Sequence, residues 1–212
     1  MRLKKVKNAK EIVENSIYYV KNSMEIKGKW NTLFEKEQPI HIEIGMGKGK
    51  FIINMAQKYS NINFIGIEKY DSVLVKAVKQ LEEIEIPLPN LKLLLFDAEN
   101  ISEVFDKEIE QIYLNFSDPW PKSKHEKRRL TSSTYLKKYD NLFKNQKRII
   151  QKTDNRTFFD FSLQSIEEYG YTIDEVTYDL YSLGDKSNVP TEYEEKFSSQ
   201  GVPINRLKAH KD

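Results

Sequence analysis

The sequence has no cysteine and only three histidines in its 212 residues. The first absence excludes a disulfide framework, a thiolate metal site and a cysteine nucleophile. The second leaves His41, His125 and His210 far apart in the chain, too dispersed for a histidine-rich centre, so no metal is expected. An excess of one charge is also lacking: 34 Lys and Arg stand against 32 Asp and Glu, a formal +2. Such a chain does not coat nucleic acid indiscriminately, and any polyanion it binds must be met by local charge. No apolar run approaches the ~20 residues that cross a bilayer. Residues 1–10 hold five Lys or Arg and no acid, but Glu11-Ile-Val-Glu14 follows where a secretory leader would be apolar. A soluble, cytoplasmic protein without a membrane partner is expected. Internal repeats and low-complexity linkers are lacking as well.

What is present is the material of one domain, 39% hydrophobic and 12% aromatic. From residue 40 short apolar runs alternate with amphipathic stretches. Strands are expected at 40–44, 63–67, 91–96, 111–116, 148–152, 171–181 and 204–210. Helices are expected at 48–59, 72–83, near 102–105, at 131–143 and at 155–169, the last closed by Gly170. Strands alternating with helices imply an α/β fold with a mainly parallel sheet covered on both faces. Residues 1–39 read as a basic, partly helical N-terminal extension, and 40–212 as the domain proper. In open sheets of this kind ligands sit beyond the carboxyl ends of the strands, which directs attention to the residues after Ile44, Ile67, Phe96 and Phe116.

After the first strand comes Glu43-Ile-Gly45-Met-Gly47-Lys-Gly49. Glycines at a strand–helix turn permit positive φ and close approach of a ligand to the backbone. The spacing is Gly-x-Gly-x-Gly, not the Gly-x-Gly-x-x-Gly of a dinucleotide fold. The acid before it suits a cationic or ammonium-bearing ligand better than a pyrophosphate. Glu68 ends the second strand, where a carboxylate can accept from both hydroxyls of a ribose; a solvated strand end is the plainer account. Asp97 ends the third and can accept from an adenine amine or cap a helix. Glu-x-Gly-x-Gly-x-Gly, an acid closing the next strand and Asp-Ala closing the third together resemble class I S-adenosylmethionine-dependent methyltransferases. That resemblance implies a Rossmann-like, seven-stranded, mostly parallel sheet with helices on both faces and the last strand antiparallel, and S-adenosyl-L-methionine as cofactor.

The fourth strand ends in Asn115-Phe-Ser-Asp118-Pro-Trp120-Pro-Lys122. The stretch 121–130 then concentrates five Lys/Arg against one Glu, a local +4. Asp118 is either an Asx-turn residue before proline or a carboxylate aimed at the methyl donor. Trp120 offers a face for a base, and the basic run is either a solvated loop or a set of phosphate contacts. The continuous string from Asn115 to Leu130 closely resembles the bacterial tRNA (guanine-N7)-methyltransferase family, as do Lys27-Gly-Lys-Trp30, Lys152-Thr-Asp-Asn-Arg156 and Thr191-Glu-Tyr-Glu-Glu-Lys-Phe197. One departure is Asn145-Gln146 where a Gly-Gly turn is expected.

The resemblance implies transfer of a methyl group to N7 of a guanine in the variable loop of tRNA, by a monomer or homodimer. It assigns Glu43, Gly45, Gly47, Glu68, Asp97 and Asp118 to the cofactor, with Asp118 also catalytic. Lys122, Asp154, Thr191, Glu192, Tyr193 and Glu194 fall to the substrate, and Lys124, His125, Glu126, Lys127, Arg128 and Arg129 to RNA. Two plainer accounts stand beside it: Thr191-x-x-Glu194 is also a capping box, and Asp154 an ordinary N-cap. The basic residues Arg2, Lys4, Lys5, Lys7 and Lys10 form an arm that orders on RNA or a solvated tail. A methyltransferase acting on another RNA, or an RNA-binding module with a vestigial cofactor fold, would share much of this pattern.

Overall fold

Seven strands form one sheet in the order β3-β2-β1-β4-β5-β7-β6 in the computed structural model, which describes residues 6–212. They are β1 (Ile40–Ile44), β2 (Asn63–Glu68), β3 (Leu91–Leu95), β4 (Ile109–Asn115), β5 (Lys147–Thr153), β6 (Thr172–Thr177) and β7 (Asn205–Lys211). β1 pairs with β2 and β4, β2 with β3, and β4 with β5, all parallel; β7 runs antiparallel between β5 and β6. The chain therefore leaves β1 in opposite directions to β2 and β4, and the crevice between β1 and β4 is the switch point where such sheets receive ligands.

Each face has its own core because alternate strand residues point to opposite sides. Ile40, Ile42, Ile44, Ile67, Ile112 and Leu114 pack beneath α4 (Ser133–Tyr139) and α5 (Arg156–Glu168). Phe64, Leu91, Leu93 and Tyr113 pack beneath α2 (Lys50–Lys58) and α3 (Asp71–Glu82), joined by Ala9 and Val13 of α1 (Ala9–Glu14). The segment before β1 is built into these cores. Trp30 is fully buried, stacks on Phe105 with ring centroids 4.9 Å apart and donates from Nε1 to Val104 O at 2.7 Å. Glu108 accepts from Gly28 N and Trp30 N at 2.9 and 3.0 Å, so Lys27-Gly-Lys-Trp30 serves an internal anchor. On the outer edge, Leu93 N donates to Tyr18 O and Val20 N to Leu93 O.

Three expected boundaries move, each for a local reason. The helix expected over 131–143 ends at Tyr139, because Leu142 O accepts from Glu108 N and Ile109 N and draws 141–143 alongside β4. The short helix expected near 102–105 lies at Ala98–Glu103, started by Asp97 accepting from Glu99 N. The strand expected over 171–181 stops at Thr177, and Asp179 caps a 3-10 turn over Leu180–Leu183. Asn145-Gln146 needs no left-handed residue; their side chains bond Glu110 and Asp212. Arg2, Lys4 and Lys5 lie outside the described residues, and Lys10 pairs with Glu14 one helical turn on. No helix among the described residues is long and apolar enough to cross a membrane.

Candidate active site

The glycine turn after β1 is held by its backbone. Gly45 N and Met46 N both donate to Ile67 O, and Gly47 N donates to Glu68 Oε2 at 3.1 Å. Gly45 and Gly47 have φ of +77° and +58°, and a Cβ on either would meet nothing within 4 Å. Their role is thus an open concave backbone rather than tight packing. Gly49 differs, since its Cβ would lie 2.8 Å from that of Ala77. Glu68 spends its other oxygen on Lys69 N and Tyr70 N at 2.9 and 3.1 Å. Burial raises its pKa and these backbone donors oppose the rise.

Glu43 lies opposite on β1 and is only 2% exposed. Its Oε1 accepts from Asn115 Nδ2 at 2.9 Å, while Oε2 is buried without a partner. Burial pushes its pKa up to about 7, against the pull of Asn115 and the positive charge of Lys152. A buried, unpartnered carboxylate oxygen is costly unless a donor reaches it. Together with the open glycine backbone, this unpartnered acceptor fits a ligand that brings a cationic N–H group. Asp97, by contrast, takes the plainer of its two roles in part, since one oxygen caps the turn at Ala98.

The loop after β4 carries Asp118 into solvent between two residues forced into the left-handed region, Phe116 at φ +50° and Trp120 at +42°. Such conformations cost roughly 1–2 kcal/mol each for non-glycine residues and persist only where neighbours fix them. Arg129 is one fixture. It is 8% exposed, donates to Pro119 O and Trp120 O at 2.9 and 3.2 Å, pairs with Glu126 at 3.3 Å, and lies 4.2 Å over the Phe161 ring. The Arg129 guanidinium thus clamps the loop, with Glu126 as its counter-ion. Lys122, Lys124, Lys127 and Arg128 are exposed, His125 is half-buried at the edge of Trp120, and Arg128 covers one face of that ring at 5.0 Å.

The segment 185–198 lies over the same edge. Lys152, at the end of β5, is 3% exposed and donates to Glu194 Oε2 at 2.5 Å, Val189 O at 2.9 Å and Asn188 Oδ1 at 3.3 Å. Glu194 is wholly buried, and accepts also from Asn188, Tyr181 and Thr191 N. The capping box is complete, with Thr191 Oγ1 accepting from Glu194 N to start α6 (Glu192–Ser198). Glu194 and Thr191 thus take the capping-box role, the plainer of the two expected of them. Glu192 pairs with Lys48 at 2.6 Å and Glu195 with Lys50, tying α6 to the start of α2. Asp154 does not cap α5, because Asn155 accepts from Phe158 N at 2.8 Å; Asp154 instead accepts from Tyr193 OH at 3.0 Å. Tyr193 packs on Phe116 with centroids 4.9 Å apart. The glycine turn, the Asp118 loop and α6 thus meet along one edge. Lys152 and Asn115, which bind this edge together, open two of the motif strings in the sequence, but neither was expected to have a role at the site. Among the described residues no group of three His, Asp or Glu could hold a metal ion.

A family described as "Putative methyltransferase" matches residues 37–207. The chain is 49% identical to the tRNA (guanine-N(7)-)-methyltransferase of Lachnoclostridium phytofermentans, over 100% of this chain and 99% of that one. It is 48% identical to the enzyme of the same name from Bacillus subtilis strain 168, over 92% and 91%. Among solved structures it is similar to an antibiotic-related methyltransferase, with TM-score 0.66 and 17% identity over 92% of this chain and 97% of that one. It is also similar to a 16S rRNA (adenine(1408)-N(1))-methyltransferase with cosubstrate SAM from Catenulisporales acidiphilia, with TM-score 0.59 and 12% identity over 90% and 91%. At these identities the structural likeness shows the fold.

Proposed function

The chain belongs to the tRNA (guanine-N(7)-)-methyltransferase family, and on that footing we propose that it methylates N7 of a guanine in the variable loop of tRNA, using S-adenosyl-L-methionine. The observation that carries this reading is the pairing of an open glycine turn, flanked by the buried carboxylates of Glu43 and Glu68, with an exposed acid and basic loop on one sheet edge. Glu43, Gly45, Gly47, Glu68, Asp97 and Asp118 would hold the cofactor. Glu43 Oε2 suits its ammonium group, and the glycine backbone gives room. When bound, the cofactor supplies a methyl group carried on a positively charged sulfur.

The remaining work falls to the chain. Guanine N7 carries an exposed lone pair, so no proton has to be removed before attack. Positioning then dominates, and holding the reacting atoms at about 3–3.5 Å can supply several kcal/mol. Positive charge ends on the purine, and a carboxylate at Asp118 favours that shift while accepting from the base's N–H edge. Asp118 is therefore orienting and electrostatic rather than a general base. Lys122, Asp154 and Tyr193 border the place where the base would enter, and Lys124, Lys127 and Arg128 supply charge for phosphates. The domain would comprise residues 40–212 with 1–39 as its N-terminal extension.

The test is to incubate the protein with unmodified tRNA and labelled methyl donor and map the product nucleotide. Label at N7 of a variable-loop guanine is expected; label on another atom or another loop would overturn the assignment.

A further inference from the structure

Large hydrophobic side chains on the surface are unevenly placed. Of the nine that are exposed among the described residues, five are Val176, Tyr178, Tyr181, Leu183 and Tyr193, all at or beyond the end of β6 or in α6. Contacts join the three tyrosines of this patch to residues of the candidate site or their neighbours. Tyr181 OH reaches Glu194 at 3.3 Å, Tyr193 OH reaches Asp154 at 3.0 Å, and Arg156, two residues beyond Asp154, covers Tyr178.

The Arg156–Tyr178 pair has an unusual degree of preparation for a surface contact. The guanidinium carbon lies 3.7 Å from the Tyr178 ring centroid, and Phe159 and Tyr178 meet edge to face with centroids 5.4 Å apart. Arg156 Nε donates to both oxygens of Asp160, at 2.9 and 3.1 Å. The guanidinium is thereby fixed in orientation, yet its side chain remains 58% exposed. The guanidinium thus rests against the Tyr178 ring while more than half of the side chain stays open to solvent.

A rigid, flat cation beside a substrate site is suited to stacking an unpaired base, which every nucleotide can offer. We propose that Arg156 and Tyr178 form a stacking platform for the base of a nucleotide flanking the methylated guanine, so that the RNA crosses the site from the basic loop at 122–128 to the end of β6. This rests on the tRNA reading given above. RNA is favoured over a protein partner by the fixed guanidinium and by the platform's continuity with Asp154 and Tyr193. A patch made for a second protein would not require a cation held face-on.

Three variants, R156K, R156Q and Y178A, test the platform through their affinity for an unmodified tRNA transcript at several salt concentrations. Melting temperature and S-adenosylmethionine affinity control for folding. R156K keeps the charge but loses the plane; it should bind tRNA at least about fivefold more weakly, with the ionic-strength slope of wild type. Y178A should weaken binding to a similar extent. Wild-type affinity in R156K would overturn the platform. If R156Q alone weakens binding and flattens the slope by about one, Arg156 meets a phosphate and the stacking assignment is wrong. A change of oligomeric state in Y178A with tRNA affinity intact would mark a protein interface instead. If the wild type binds the methyl donor but neither binds nor methylates tRNA, the functional reading fails and the platform with it. That outcome is distinct from a wild type that methylates tRNA and three variants that match it.

Discussion

The two ends of the candidate site are built on opposite plans. Around β1 and β2 the carboxylates are buried: Glu68 accepts from three backbone N–H groups, and Glu43 has one oxygen bonded and one without a partner. Around the loop after β4 the charged groups of Asp118, Lys122, Lys124 and Arg128 stand in solvent. The contrast follows from what each end would hold. A small cation is gripped tightly only when the site is dry, because water screens a single ion pair. A polyanion brings many phosphates, and its binding sums weak contacts that require no burial. The balanced net charge of the chain conceals this division, since Glu43 and Glu68 lie buried at one end while Lys122, Lys124 and Arg128 stand exposed at the other.

The largest effect is expected where the two plans join. Replacing Lys152 by Met leaves Glu194 buried without its cation, and should lower folding stability by about 3–5 kcal/mol in chemical denaturation. The double variant K152M/E194L should recover most of that loss. A single variant as stable as wild type would mean the junction is not dry. Next in size, Asp118→Asn should reduce turnover on tRNA by roughly 100-fold or more, as measured by single-turnover assay at saturating cofactor. Unchanged turnover would deny the exposed acid any electrostatic role.

The pH dependence of the dry end is a third and smaller effect. Glu43 titrates at about 7, above the ordinary 4.5, and its ionised form is the one that attracts a cation. Affinity for S-adenosylmethionine should therefore rise about tenfold between pH 6 and pH 8, and Glu43→Gln should flatten the profile. Stability of the free protein runs the other way. The folded state holds that proton more tightly than the unfolded state, so this contribution is full below pH 4.5 and is lost as pH rises through 7. The smallest effect belongs to the wet end: Lys124→Gln should cost a few-fold in tRNA affinity and make its salt slope shallower by about one. A loss that persists undiminished at high salt would show Lys124 to be part of a built pocket.

Most of the sheet was legible because its signals are local. Glycines after Ile44, alternating apolar residues in β1 to β5 and the acids at strand ends all declare themselves within a few positions. What stayed hidden depends on pairing across the chain. Lys152 and Glu194 are 42 residues apart, and only folding reveals that each exhausts the other. Arg129 is indistinguishable from Arg128 in a run of bases, but one clamps two carbonyls and the other lies over an indole. Asp154 and Asn155 are both good caps, and the backbone used the second.

The contact of residues 18–20 with β3 bears on handling the protein as well as on its chemistry. An uncovered outer strand invites another molecule to add its own strand and begin aggregation. At β3 the hydrogen bonds to Tyr18 and Val20 occupy that position, while at β6 the acids Asp174 and Glu175 and the bases facing them discourage it. A chain shortened past Val20 would thus lose its selvedge. Its expected failure is precipitation at working concentrations, seen as rising light scattering before any loss of helix signal.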